Sequence, residues 1–240
     1  MTACRPRAVL VAVSVGFLLA GCAPAFLPSD APHQPRGFQV KDVIKGDVDM
    51  VAEAHLALSL RYLETLMVKL YRRNPNQLRR GQHPDLESVL ARVFGASRPA
   101  SLPELGHARS VEALRLAFDE RFEGDRVLAL VEGLRDMLIR AYGGKREFYL
   151  TDDFDPQKLY NAARNLEIAA WKLGHDRDAG GALFLLSNEG SGPVVNLSFE
   201  RLFGKLIALQ DAMAVVVADT SSRQIKTAIQ SVASMVFLPI

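Results

Sequence analysis

The sequence predicts an all-α fold, an irregular bundle of six or seven helices, with a glycine-bounded loop or one small β-hairpin near 182–196. Three observations predict it. Apolar residues return at alternating spacings of three and four over long stretches, which is the period of one helix face. Capping residues, prolines and glycines punctuate those stretches where helices start and stop. No repeat of fixed period is present, which sets a solenoid aside.

From Asp42 onward the helical period is clear. Leu56, Leu60, Leu63, Met67 and Leu70 form one stripe, and Ile44, Val48, Val51, Leu58, Tyr62 and Leu66 form a second beside it, with His55 among them. Two stripes on one helix imply burial on more than one side. Asn74-Pro75-Asn76 stops this helix, because proline lacks the N–H and restricts the residue before it. Pro84, Asp85 and Glu87 open a short second helix, as acids complement its positive end. Residues 96–109 carry Pro99 and Pro103 and read as a loop. Ser110 is then expected to cap a helix with Val111, Leu114, Phe118 and Phe122 on one face. Gly124-Asp125 breaks the path before Val127, Val131, Leu134, Leu138 and Tyr142, which end at Gly143-Gly144.

Asp155-Pro156 starts the next helix, with Leu159, Ala163, Leu166, Ala170 and Leu173 at helical spacing until Gly174. Its small alanines suit the close approach of another helix. Between 175 and 197, glycine pairs bound the apolar runs Ala182–Leu186 and Val194-Val195, the pattern of a loop or hairpin. Ser198 opens a helix with Phe199, Leu202, Phe203, Leu206 and Met213, and a last one is expected to carry Ile225, Ile229, Val232 and Val236.

The N-terminus is read differently. Arg5 and Arg7 precede an apolar run from Ala8 to Leu19, and Leu19-Ala20-Gly21 leads directly into Cys22. This is the layout of a secretory signal, and the run is too short to span a bilayer. The cysteine after Leu-Ala-Gly resembles the lipobox of bacterial lipoproteins. That resemblance implies a diacylglycerol on the Cys22 sulfur, cleavage before Cys22 and acylation of its new amino group. The expected organisation is a signal over 1–21, a Pro-rich tether over 22–38 and a helical domain over 39–240. Pro24, Pro28, Pro32 and Pro35 suit a polyproline-like spacer rising about 3.1 Å per residue. Phe26 and Leu27 would also allow this stretch to pack on the domain. Two segments, DRVLALVEGLRDMLIRAYGGKREFYL and DPQKLYNAARNLEIAAWKL, are similar to stretches of an uncharacterised family of proteobacterial envelope lipoproteins. The similarity spans roughly residues 124–173 and brings no catalytic residues with it.

Composition narrows the function classes. The chain has 29 basic and 27 acidic residues, and loss of Arg5 and Arg7 with the signal makes the two counts equal. A formally neutral chain outside the cytoplasm is a poor nucleic-acid binder. Cys4 leaves with the signal and Cys22 carries lipid, so no thiol remains for a disulfide, a metal or a nucleophile. With 49% hydrophobic residues the mature chain can bury a core.

Motifs for chemistry are sparse. Asp152-Asp153-Phe154-Asp155 lacks the glycine and distal glutamate of a calcium loop, and Asp155 already serves as a cap. His33, His55, His83, His107 and His175 lie far apart, without the spacing of a zinc hydrolase; whether loop residues His83, His107 and His175 converge stays open. There is no Gly-x-Ser-x-Gly elbow. The expectation is therefore no catalytic residue, no metal and no cofactor. The one charged constellation that stands out is Lys69, Arg72, Arg73, Arg79 and Arg80, around the end of the first long helix. It reads as a docking patch for anionic headgroups or an acidic partner, or as cations offsetting the helix's negative end. The uncharged stretches Met213–Ala218 and Val232–Ile240 read as a buried final helix or an apolar contact surface.

The function expected from these features is a non-enzymatic envelope adaptor or assembly factor, anchored to a membrane through lipid on Cys22 and contacting an envelope protein, not nucleic acid. Ala23 rather than aspartate after the cysteine favours the periplasmic face of the outer membrane over the inner membrane. A helical module for a lipid or other apolar ligand is the alternative. An enzyme acting on peptidoglycan or another glycan is a third.

Overall fold

The computed structural model describes residues 46–149, 152–189, 196–221 and 234–240. Seven α-helices are present there: α1 (Asp47–Arg73), α2 (Asn76–Arg80), α3 (Leu86–Phe94), α4 (Val111–Ala117), α5 (Arg126–Ala141), α6 (Pro156–His175) and α7 (Ser198–Ser221). Among the described residues there is no strand, so the all-α expectation holds. Of the glycine-bounded segment, residues 190–195 lie outside the described ones; the described part carries isolated antiparallel bridges only, Arg177 with Leu183 and Glu189 with Asn196.

α5 is the axis of the bundle. Fourteen of its sixteen residues are buried, with α4, α1 and α6 packed around it. The helix α4 crosses at backbone contact distance: a Cβ at Gly133 would lie 2.8 Å from the backbone nitrogen of Leu114. Only glycine allows that approach. The two helices α1 and α7 run antiparallel, since His55 meets the Leu209 carbonyl at 3.2 Å while Lys69 lies over the Phe199 ring. Buried Gln210 donates to Ser59 Oγ at 2.9 Å across the same seam. On the other side α7 packs along α6, where Ala162, Ala163 and Ala169 are fully buried, as their small size predicts.

Several boundaries differ from the sequence reading, each for a local reason. Gly46 is extended and its N–H donates to Asp49 Oδ2 at 2.8 Å, so α1 begins at Asp47; Asp42 and Ile44 lie outside the described residues. The second stripe of α1 is buried at Leu66 but leaves Val51 exposed, because the neighbouring helices cover the C-terminal half more fully. Ser110 precedes α4 at φ 52° and ψ −129° and makes no side-chain cap, since an N-cap hydroxyl reaches its amide from extended backbone. The helix itself stops at Ala117, and Phe118 and Phe122 lie in the turns beyond it. Gly174 does not end α6, which continues to His175. The short helix α2 was not anticipated at all.

The last predicted helix lies mostly in residues 222–233, outside the described ones. Its end is corrected: Val236 sits in a non-helical tail and is exposed, while Phe237 and Leu238 are buried. Asn165 of α6 holds this tail by its backbone. Its Nδ2 donates to Leu238 O at 2.9 Å and its Oδ1 accepts from Leu238 N at 2.6 Å. Asn161, one turn earlier, donates to Pro239 O. The tail is buried, as one sequence reading had it, but as an extended strap instead of a helix.

Candidate functional site

The end of α1, the helix α2 and the start of α5 form one corner where the molecule's polar contacts concentrate. Asn74 closes α1 and, like Asn165, grips an extended segment: Leu186 N donates to its Oδ1 at 2.8 Å and its Nδ2 donates to Leu186 O at 2.8 Å. Gln77 of α2 accepts from Arg126 N at 2.9 Å. Asp125 caps α5 through Leu128 N at 3.0 Å and accepts a 2.6 Å hydrogen bond from the Tyr71 hydroxyl. Burial and the adjacent Asp125 charge raise the Tyr71 phenol far above its usual range. The His83 ring completes this node with Nε2 3.5 Å from Asp125 Oδ2. Gly81 makes the approach possible, since a Cβ there would meet the His83 ring at 2.5 Å and Asp125 at 2.8 Å.

Arg126 anchors the other side. Its guanidinium donates to the carbonyls of Ala117, Asp119 and Phe122 at 2.8–3.0 Å and lies 4.6 Å from the Phe184 ring centroid. It thereby closes the C-terminus of α4, where unpaired carbonyls need donors. Burial, then the neighbouring Arg80, lowers its pKa.

Two open clefts flank α2. The larger, about 940 Å³, brings Arg73, Arg80 and Arg126 opposite Glu120, Glu123 and Asp178. The smaller, about 560 Å³, is lined by His83, Ser88, Arg92 and Glu104 among others. Nothing in the described part of either cleft forms a nucleophile–base pair. Ser88 Oγ donates to Asp85 O, and His83 Nε2 has no hydrogen-bond partner. A base needs its proton partner within about 3.2 Å. His83, Asp125 and Tyr71 thus act as a knot between α1, the α2–α3 turn and α5.

The predicted basic patch divides. Lys69 is absorbed by packing on Phe199, 5.2 Å from the ring, and burial then Arg72 lower its pKa. Arg73 pairs with Glu189. Arg72, Arg79 and Arg80 remain exposed, with no ion pair among the described residues. Cys22 and the preceding Leu19, Ala20 and Gly21 lie outside the described residues, as does the tether.

The loop histidines do not converge: His83 faces Asp125, His107 meets Ser101 Oγ, and His175 stacks on Trp171. Among the described residues no group of three or more His, Cys, Asp or Glu could hold a metal. The acidic run is structural: Asp155 caps α6 through Gln157 N, and Asp152 pairs with Lys145. Residues that sequence reasoning missed are the charged ones inside α5. Arg98 pairs with Glu132, and Asp136 receives Arg109 at 2.6 Å and Arg140 at 2.7 Å. Their signal was polar residues within a helix otherwise apolar all round. Comparison with protein-family models, curated proteins and solved structures gave no match to this chain.

Proposed function

We propose that the chain is a lipid-anchored envelope protein that works by docking, held to the periplasmic face of the outer membrane through Cys22. The observation carrying the docking reading is the division of the basic patch. Lys69 and Arg73 are used internally, whereas Arg72, Arg79 and Arg80 stand exposed and form no ion pair among the described residues, Arg80 at the edge of the cleft that holds Glu120, Glu123 and Asp178. Arg72 and Arg73 lie in the last turn of α1, and Arg79 and Arg80 in that of α2, where they offset each helix's negative end; the exposure of Arg72, Arg79 and Arg80 also leaves them open to a partner's anions. The 27 residues of α1 span about 40 Å, and the basic corner lies at its C-terminal end. The partner in this reading is an acidic surface that meets that corner. Acylation supports the address: each buried methylene contributes about 0.8 kcal/mol, so two or three chains hold firmly where one does not. No helix of the described residues is long and apolar enough to cross a membrane.

Two experiments test the two halves separately. Growth with a palmitate analogue labels the wild-type chain and not Cys22→Ser; an unlabelled wild type removes the anchor. In-cell crosslinking with Arg72, Arg79 and Arg80 changed to glutamate loses the partner bands seen with wild type, while helicity is unchanged. Bands that persist in a folded charge-reversed protein leave the arginines with a structural role only.

A further inference from the structure

Arg109 and Arg140 are drawn together by one buried carboxylate. Arg109 Nη2 donates to Asp136 Oδ1 at 2.6 Å and Arg140 Nε to Asp136 Oδ2 at 2.7 Å. A guanidinium carries its donors in a rigid fork, and these bonds use one donor from each. The two side chains stay 45% and 42% exposed, and neither has a buried atom without a partner, so their remaining donors face solvent. Both line one open cavity of about 330 Å³ together with Arg115, which is exposed and forms no ion pair among the described residues. Phe237, Pro239 and Ile240 of the C-terminal strap give this cavity an apolar wall, and Glu112 lines it as well. The wall is fixed in place, since Asn165 and Asn161 hold the strap by its backbone. Arg115 and Arg140 lie in the last turns of α4 and α5, where they also offset the helices' negative ends. That role leaves their solvent side free.

We propose that this cavity binds a small carboxylate that carries an apolar group. Guanidinium forks match a planar carboxylate, and the strap wall matches the group attached to it. Glu112 sets the charge, because a dianion would bring its second charge towards that side chain and a monoanion does not. Ligand pockets run from about 300 to 1,000 Å³, so this one is at the small end. It suits a branched acid or the last residue of a peptide and not a long acyl chain. The site lies at the opposite end of α5 from the α1–α2 corner and is independent of the anchor.

Thermal unfolding of the full chain in non-ionic detergent, at constant ionic strength, tests this with isocaproate as the probe. Isocaproate raises the Tm of the wild type progressively, because a ligand that binds only the folded state stabilises it as its concentration passes Kd. Acetate, which lacks the apolar group, needs at least about tenfold more for the same rise. N-acetyl-L-leucinamide, which keeps the apolar group without the charge, gives no rise. Arg115→Gln and Arg140→Gln each weaken the response to isocaproate roughly tenfold, as for a lost charge-assisted hydrogen bond. Arg115 has no ion pair to lose, so its variant carries the test if Arg140→Gln does not fold. Arg121→Gln, which changes an exposed arginine outside the cavity, responds as the wild type does. N-acetyl-L-leucine separates the sources: binding tighter than isocaproate assigns the C-terminal residue of a peptide, and weaker binding assigns the free acid. A wild type indifferent to isocaproate overturns the proposal. So does an equal response to acetate or to the leucinamide, or a response undiminished in the folded arginine variants.

Discussion

At the scale of single residues, the corner depends on atoms that are absent as much as on those present. Gly81→Ala would drive a Cβ into the His83 ring and Asp125, and overpacking of that kind costs about 1–3 kcal/mol. Gly174, inside α6, has open space around its missing side chain. There, Gly174→Ala gains about 0.5–1 kcal/mol from helix propensity alone. Urea denaturation of the two variants side by side checks the contrast; equal shifts would mean that space around the glycine is not what decides. Tyr142 offers a second residue-level case. Its hydroxyl is buried without a hydrogen-bond partner, and burial raises its pKa. Tyr142→Phe removes an unsatisfied group while keeping the ring against Phe148 and Phe154. The variant is expected to be at least as stable as the wild type, by up to about 1 kcal/mol, and a clear loss in denaturant would show that the hydroxyl has a partner in solution.

At the scale of elements, α5 shows what periodicity can and cannot convey. Its apolar face was legible in Val127, Val131, Leu134 and Leu138, all fully buried. That face does not include Glu132, Arg135 and Asp136, yet they are buried as well. Neighbours on every side had to be placed before those charges could be seen as internal, and one sequence does not place them. The helix α2 was hidden for a related reason: five residues are too few to show a period. The cap at Asp155, by contrast, was legible because it depends on the next residues alone; Asp85 and Asp125 also accept the backbone hydrogen bond of a cap, where the sequence reading saw an acid complementing a helix end and a break in the path. The charges of α5 also carry a pH dependence. Burial alone would raise the Asp136 carboxyl, but the hydrogen bonds from Arg109 and Arg140 outweigh it and its pKa is lowered. A depressed carboxylate contributes full stability above its unfolded value near 3.9 and loses it as pH falls through the folded value. Asp136→Asn should therefore cost about 1–3 kcal/mol at neutral pH, with the gap from wild type closing in acid. A gap that stays constant from neutral pH into strong acid would place the cost in packing instead of charge.

At the scale of the whole molecule, a helical domain with no cysteine among its described residues is held together by packing and by a few side chains that fasten its irregular segments. The core side of this was readable from composition; the fastening was not, because Asn74 with Leu186 and Asn165 with Leu238 are 112 and 73 residues apart. Asn165→Ala leaves a buried amide and carbonyl of the tail unpaired, a loss of about 2–4 kcal/mol. Limited proteolysis near the C-terminus should detect release of the strap before global unfolding, and an unchanged digestion pattern would argue that Phe237 and Leu238 hold it unaided. The Asn74 grip has a different corollary. Leu186 is 47% exposed, and what fixes it is its own peptide N–H and C=O. An asparagine amide presents a donor and an acceptor side by side, as the edge of a β-strand does, so a chain with no sheet among its described residues seats this loop as a sheet would seat a strand. The path of the chain there is decoupled from its spelling: at 186 any residue that keeps its N–H can follow the same route, and proline alone would have to leave it.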